Sequence, residues 1–159
     1  MPARPGPTMR WLFRLPVYLY RCHCGGLLGH RFLLLIHRGR RTGRRYETVL
    51  EVMEYRAARR EAVVMNAFGR NADWRRNIDA RPGTADVVIG RECFVATHRL
   101  LDADEAVEIV AGYERRHRVA APIVRLALRR LCGWAYRGTA SERRRLVAEL
   151  PLIAFRPAA

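Results

Sequence analysis

Short apolar runs separated by polar, glycine-bearing breaks fix most of the elements of this chain. Phe32-Leu33-Leu34-Leu35-Ile36-His37 is continuously apolar, and its end is marked by Gly39 and Gly43, which predicts a buried strand from about Arg31 to His37. From 45 to 55 the pattern becomes an alternation, with Tyr46, Thr48, Leu50 and Val52 pointing one way and Glu47, Val49, Glu51 and Met53 the other. Residues 56 to 60 read as a basic turn, and Glu61 to Asn66 as a third strand around Ala62-Val63-Val64-Met65. Three strands joined by short turns predict an antiparallel meander.

A loop over 67 to 72 leads to a helix from Asp73 to Ala80, capped by Asp73 or Asn71 and with Pro82 beyond its end. Thr84 to Ile89 and Glu92 to His98 form a hairpin around Gly90-Arg91. Asp102-Ala103-Asp104-Glu105 has the spacing of a capping box, and Val107, Ile109, Val110 and Tyr113 give the following helix an apolar face. Further helices cover Pro122 to Cys132 and Ser141 to Leu150, the last capped by Ser141, and Leu152-Ile153-Ala154-Phe155 is a closing strand. Residues 9 to 23 read as a helix bent at Pro16 and ended by Gly25-Gly26, behind a loose proline-bearing tail over 1 to 8. The sum is one α+β domain over 9 to 159, about six mostly antiparallel strands curled into a barrel with flanking helices.

Composition adds charge to this picture. Of 159 residues, half are hydrophobic, which excludes wholesale disorder, and 30 basic residues against 15 acidic ones leave +15. All the basic residues are arginine, a bias that points to genomic base composition and lowers the weight of any single arginine. The field favours anionic cofactors, nucleic acid or acidic lipid surfaces without choosing among them. Cys22, Cys24, Cys93 and Cys132 are expected to be reduced thiols of a cytoplasmic protein. Residues 11 to 20 are too short and too interrupted, by Arg14 and Pro16, to span a membrane. Trp11, Phe13, Tyr18 and Tyr20 among Arg10, Arg14 and Arg21 nonetheless suit peripheral membrane contact, if that helix does not cover the domain's own core.

The densest charge sits where the first two strands meet. Arg38, Arg40, Arg41, Arg44 and Arg45 in one turn repel one another, which does nothing for the fold and is explained by an anionic partner. Gly39 and Gly43 let backbone N–H groups converge on a phosphate or carboxylate, and Thr42 adds a hydroxyl. The competing reading is a solvated hairpin tip.

No self-contained catalytic site accompanies the turn. Cys22-His23-Cys24 is too close for the usual metal knuckle, so no metal is expected, and no serine has the surroundings of a nucleophile. Glu47 with Glu51 and Asp102 with Asp104 are not acid–base pairs, and His37, His98 and His117 read as ordinary titratable residues. The chemistry is therefore expected to come with a cofactor. Asn66-Ala67-Phe68-Gly69 and Asp73-Trp74-Arg75-Arg76-Asn77 offer backbone donors, flat apolar surface and an amide, although Trp74 and Ile78 at helical spacing also suit a core.

Gly39-Arg40-Arg41-Thr42-Gly43, Glu47-Thr48-Val49-Leu50, Ala67-Phe68-Gly69, Asp73-Trp74-Arg75-Arg76-Asn77-Ile78 and Leu150-Pro151-Leu152, in this order and spacing, resemble the deazaflavin (coenzyme F-420)-dependent nitroreductase and quinone reductase family. The resemblance covers about Arg31 to Phe155 and implies a split β-barrel. It also implies a coenzyme with a redox ring, a ribityl-phosphate and a tail of linked glutamates. On that basis Arg40, Arg41, Thr42 and Gly43, with Tyr46 and Thr48 on the neighbouring strand, would hold phosphate and tail. Asn66, Ala67, Phe68, Trp74 and Asn77 would lie along the ring or ribityl part, and Tyr113 would stand on the substrate side. Tyr46 stands where many relatives have arginine, and Val49 where many have proline.

The implied activity is hydride transfer from the reduced coenzyme to a quinone, nitro compound or activated alkene, with FMN as the alternative cofactor. Barrels of this type often dimerise, but the sequence marks no interface. Two other classes fit the charge: a nucleic-acid-binding domain, which lacks a motif to support it, and a non-catalytic flavin or tetrapyrrole barrel.

Overall fold

The computed structural model describes residues 29–67 and 69–159. The predicted tail, the N-terminal helix with its membrane contact, Cys22-His23-Cys24 and Phe68 lie outside the described residues. The strands are β1 (Phe32–Arg38), β2 (Arg45–Arg56), β3 (Glu61–Met65), β4 (Ala85–Ile89), β5 (Glu92–Leu100) and β6 (Leu152–Pro157). The helices are α1 (Asp73–Ala80), α2 (Ala103–Arg116), α3 (Ala121–Cys132) and α4 (Ala140–Glu149). The strands close a barrel in the order β1-β2-β3-β6-β5-β4, with β4 returning to β1 and every pairing antiparallel. This is the expected α+β split barrel.

Two apolar layers hold it. Inside are Leu33 and Leu35, Ala62 and Val64, Val87 and Ile89, Ile153 and Phe155, with Trp74 and Ile78 of α1 packed into the same cluster. Outside, Met53, Val63, Leu152 and Ala154 meet Ile109, Val110 and Tyr113 of α2 and Leu146 and Val147 of α4. Each Leu, Ile, Val, Met or Phe among them contributes roughly 1.5–3 kcal/mol when fully buried, and each alanine less.

Strand β2 serves both layers because its register against β3 shifts between Val52 and Glu54. Before the bulge the even positions Leu50 and Val52 face inward; after it the odd position Tyr55 does, while Met53 turns to the helices. The predicted alternation thus ends at the bulge.

Thr139, not Ser141, caps α4: its hydroxyl accepts from the Glu142 N–H while the Glu142 carboxylate accepts from the Thr139 N–H. A cap must precede the first helical turn, and that turn begins at Ala140.

One ion network ties the barrel to α2. Glu61, only 2% exposed, accepts from Arg56 and Arg99, and both arginines also reach Glu105, at 2.7 and 2.9 Å. The hydrogen bond from Arg99, seconded by Arg56 and opposed by burial, holds the Glu105 carboxyl at about 2, below its ordinary 4.5. A depressed carboxyl stabilises the fold above its unfolded pKa and loses that contribution as pH falls through the folded one. The melting temperature is therefore expected to fall between about pH 4.5 and 2, less steeply in Glu105→Gln, as measured by thermal unfolding across that range.

Candidate anion-binding turn

The link from β1 to β2 is a tight, internally bonded turn. The Gly39 N–H donates to the Arg44 carbonyl and the Gly43 N–H to the Gly39 carbonyl, both at 2.8 Å. Gly43 sits at φ +68°, a left-handed conformation that glycine adopts without cost. At Gly39 space is the constraint: a Cβ would lie 2.9 Å from the Tyr46 ring and 3.0 Å from Thr42 Oγ1. Thr42 Oγ1 also accepts the Arg44 N–H at 3.3 Å, so the hydroxyl shapes the turn as well as facing solvent.

Asn77 fixes the turn to α1. Its Oδ1 accepts the Arg40 backbone N–H at 3.0 Å and Arg40 Nη1 at 3.1 Å, and Asp73 takes the same guanidinium at 3.0 Å. Arginine and backbone N–H only donate, so the Asn77 amide must present nitrogen to its other neighbour, His37 Nδ1, at 3.2 Å. Nδ1 is then an acceptor, and the remaining proton of a neutral ring lies on Nε2, which donates to Thr48 Oγ1 at 3.2 Å. His37 is 4% exposed, and burial depresses its pKa despite the opposing charge of Asp73.

Two results follow for His37. NMR of the imidazole nitrogens is expected to show the Nε2–H tautomer at neutral pH. As pH drops below 6.5 the unfolded chain takes up a proton that the folded ring resists, so stability is lost on that descent until the folded pKa is passed.

The bracing sorts the arginines. Arg40 is engaged with Asp73 and Asn77, Arg45 with Glu47 at 3.1 Å, and Arg38 with the Gly43 carbonyl at 3.3 Å. Arg41 and Arg44 are exposed, and among the described residues neither side chain has an acidic partner. Beside them Tyr46 is 45% exposed, its ring stacked at 5.9 Å on His37. The turn thus offers two free guanidinium forks and an aromatic face on a fixed backbone.

The other expected residues go elsewhere. Trp74 is inside the barrel, 6.3 Å from Phe155, with no broad face left for a ligand. Asn66 is fully buried and donates from Nδ2 to the Gly69 carbonyl at 2.6 Å. It lines, with Arg75, Asp79, Leu101 and Pro151, a cleft of about 430 Å³. At 100° per residue, Arg75 and Asp79 lie on the flank of α1 opposite Asp73 and Asn77, so the Asn66 cleft and the basic turn are on different sides of that helix. Ala67 follows at the mouth of the same loop.

Tyr113 is on α2, its hydroxyl donating to Glu51 at 2.6 Å and its ring stacked on His117 at 4.2 Å. Burial and the Glu51 carboxylate push its phenol far above the usual range. It borders an open cleft of about 650 Å³ between α2, α3 and the segment around Tyr136. Glu51 is six residues along β2 from Arg45, roughly 20 Å, so Tyr113 does not adjoin the turn. Tyr113→Phe is expected to cost about 1 kcal/mol in chemical unfolding, the worth of one hydrogen bond.

Sequence reasoning left out His37 as a bridge. The signal was parity: two residues beyond Leu35 and four beyond Leu33 on the same strand, it had to face the barrel interior and there required polar partners.

No protein-family model matches the sequence, and no curated protein matches it significantly. Solved structures do. One is an F420-H2 dependent reductase, FDR-A, at 15% identity, TM-score 0.51, covering 81% of this chain and 96% of that one. Another is a protein of unknown function from Agrobacterium tumefaciens, at 14% identity and TM-score 0.53, which covers all of this chain while the chain spans 59% of it. At these identities the likeness is one of fold.

Proposed function

We propose that this protein is an oxidoreductase that holds a flavin-type cofactor, the deazaflavin coenzyme F-420, by its anionic end at the Gly39–Arg44 turn, and reduces a small electrophile such as a quinone or nitro compound. The observation that carries the reading is the pair Arg41 and Arg44: two exposed guanidinium groups without acidic partners among the described residues, on a turn braced by Asn77. A bare surface loop would gain nothing from that arrangement, whereas a phosphate or a glutamate tail accepts bidentate hydrogen bonds from each fork. The fold shared with an F420-H2 dependent reductase supports the same reading.

The residues present fit the anionic end of such a coenzyme. Arg41 and Arg44 would neutralise its charge, the Gly39 to Gly43 backbone would keep the two forks at fixed spacing, and Tyr46 would present a ring face beside them. Bound in reduced form, the coenzyme supplies a hydride. His37, buried between Asn77 and Thr48, helps to hold the turn.

The test is titration of purified protein with reduced coenzyme F-420, FMN and a single-stranded oligonucleotide, followed by menadione or a nitroaromatic. Saturable coenzyme binding and oxidation of the coenzyme on adding acceptor are expected. Binding of FMN alone would shift the cofactor, binding without turnover would make the barrel a carrier, and oligonucleotide binding alone would overturn the enzyme reading.

A further inference from the structure

The surface of α3 has a character that neither the barrel nor the basic turn explains. The helix has no buried residue and leans on the outer core through Leu128, Leu131 and Cys132. On its far side, and in the turn before it, Val119 is 98% exposed, Ile123 73% and Leu126 52%. At 100° per residue, Ile123, Leu126 and Arg130 share the outward face, with Arg125 and Arg129 along one flank. Residues 115 to 141 carry seven arginines and no acidic residue. Among the described residues, Arg118, Arg125, Arg129 and Arg130 have no acidic partner.

We infer that α3 and the turn before it dock on an anionic bilayer surface, Val119, Ile123 and Leu126 entering the acyl boundary while Arg118, Arg125, Arg129 and Arg130 engage lipid phosphates. Apolar residues among arginines along one helix lying in the plane of the interface have this pattern. Charge decides against the other occupants. The chain's own residues 1 to 28 contain no acidic residue, so they would bring arginine against arginine, and a second copy of α3 would do the same. Nucleic acid would satisfy the arginines but leave three large aliphatic side chains in water. A bilayer containing anionic lipid takes both, each arginine near its surface strengthening attachment.

The experiment is cosedimentation of the full chain with vesicles of phosphatidylcholine alone and of phosphatidylcholine mixed with phosphatidylglycerol. Binding to the mixed vesicles, weakened by salt, and little binding to the neutral ones are expected. Val119→Ser/Ile123→Ser/Leu126→Ser, which leaves the charge unchanged, is expected to lower the partition coefficient roughly tenfold or more, as is Arg125→Gln/Arg129→Gln/Arg130→Gln. All six side chains are outside the core, so circular dichroism and melting temperature should match the parent. A separate gain of signal comes from Leu126→Trp, whose emission is expected to shift to the blue on mixed vesicles. Equal partition of the serine variant and the parent, no emission shift, or equal binding to neutral vesicles would each overturn the inference. It would also fall if the arginine variant lost affinity for an oligonucleotide but not for vesicles.

Discussion

Replacing Arg41 and Arg44 together by glutamine is expected to weaken binding of coenzyme F-420 about a hundredfold while moving the melting temperature by only about 2 °C or less. A hydrogen bond to a charged group contributes about 1.5–3 kcal/mol, and the exposure of both forks puts each near the lower end, so roughly 3 kcal/mol is lost in total. The fold should hardly notice, because neither side chain has a protein partner among the described residues and surface changes of that kind stay within about 0.5 kcal/mol. Salt provides a second readout. Added salt should weaken binding to the parent steeply and to the double variant only shallowly, since fewer charge contacts remain to be screened. Arg40→Gln is the instructive contrast. Arg40 is tied to Asp73 and Asn77, so its loss should lower stability and affinity together. Isothermal titration of the three proteins at two salt concentrations separates these outcomes, and an unchanged affinity in the double variant would remove the turn from the site.

The contrast between Arg40 and Arg41 also marks how far the sequence could be read. Elements governed by local chemistry were legible: α1 spans Asp73 to Ala80 as expected, although Ala72 holds the cap position and neither Asp73 nor Asn71 caps the helix, and β4 and β5 pair around Gly90 with Ile89 opposite Glu92. The barrel itself followed from strand count and short connections, but its closure joins β4 to β1 and β3 to β6, pairings between segments far apart in sequence that no local pattern encodes. The bulge in β2 was invisible for a related reason: Met53 and Tyr55 take opposite sides because of where β3 pairs, and the residues themselves permit either parity. Within the candidate site, the sequence pointed to the turn and the resemblance put Arg40 and Arg41 together on the coenzyme, with nothing to tell a braced arginine from a free one. Arg38 and Arg45 are engaged locally, by the Gly43 carbonyl and Glu47, but Arg40 is set apart from Arg41 by Asp73 and Asn77, which arrive from a helix more than thirty positions later. Trp74 was ambiguous for want of one fact, which face of α1 meets the barrel, and the structure places its ring inside.

Asn77→Ala should have the largest effect on the fold of any single change near the turn. It strips the acceptor from the Arg40 N–H and the donor from His37 Nδ1, leaving two sequestered polar atoms unmatched at roughly 1–3 kcal/mol each. A loss of about 3 kcal/mol corresponds to a fall of about 10 °C in melting temperature for a chain of this size. Bulk loss alone could mimic that, so Asn77→Asp supplies the discriminating arm. The carboxylate accepts from Arg40 as the amide does, but it cannot donate to His37 and instead favours a proton on Nδ1. The imidazole pKa should then rise relative to the parent, and its neutral-pH NMR signature should change from the Nε2–H tautomer to a ring carrying a proton on Nδ1. An unaltered His37 signature in Asn77→Asp would show that the bridge does not set the tautomer. The same variants bear on binding without touching a binding group. In Asn77→Ala the forks of Arg41 and Arg44 keep their charge but lose their fixed spacing, so coenzyme affinity should fall about tenfold while its salt dependence stays that of the parent. A weakened affinity with an unchanged salt slope is the mark of a turn whose charges bind the anion and whose brace only holds them in register.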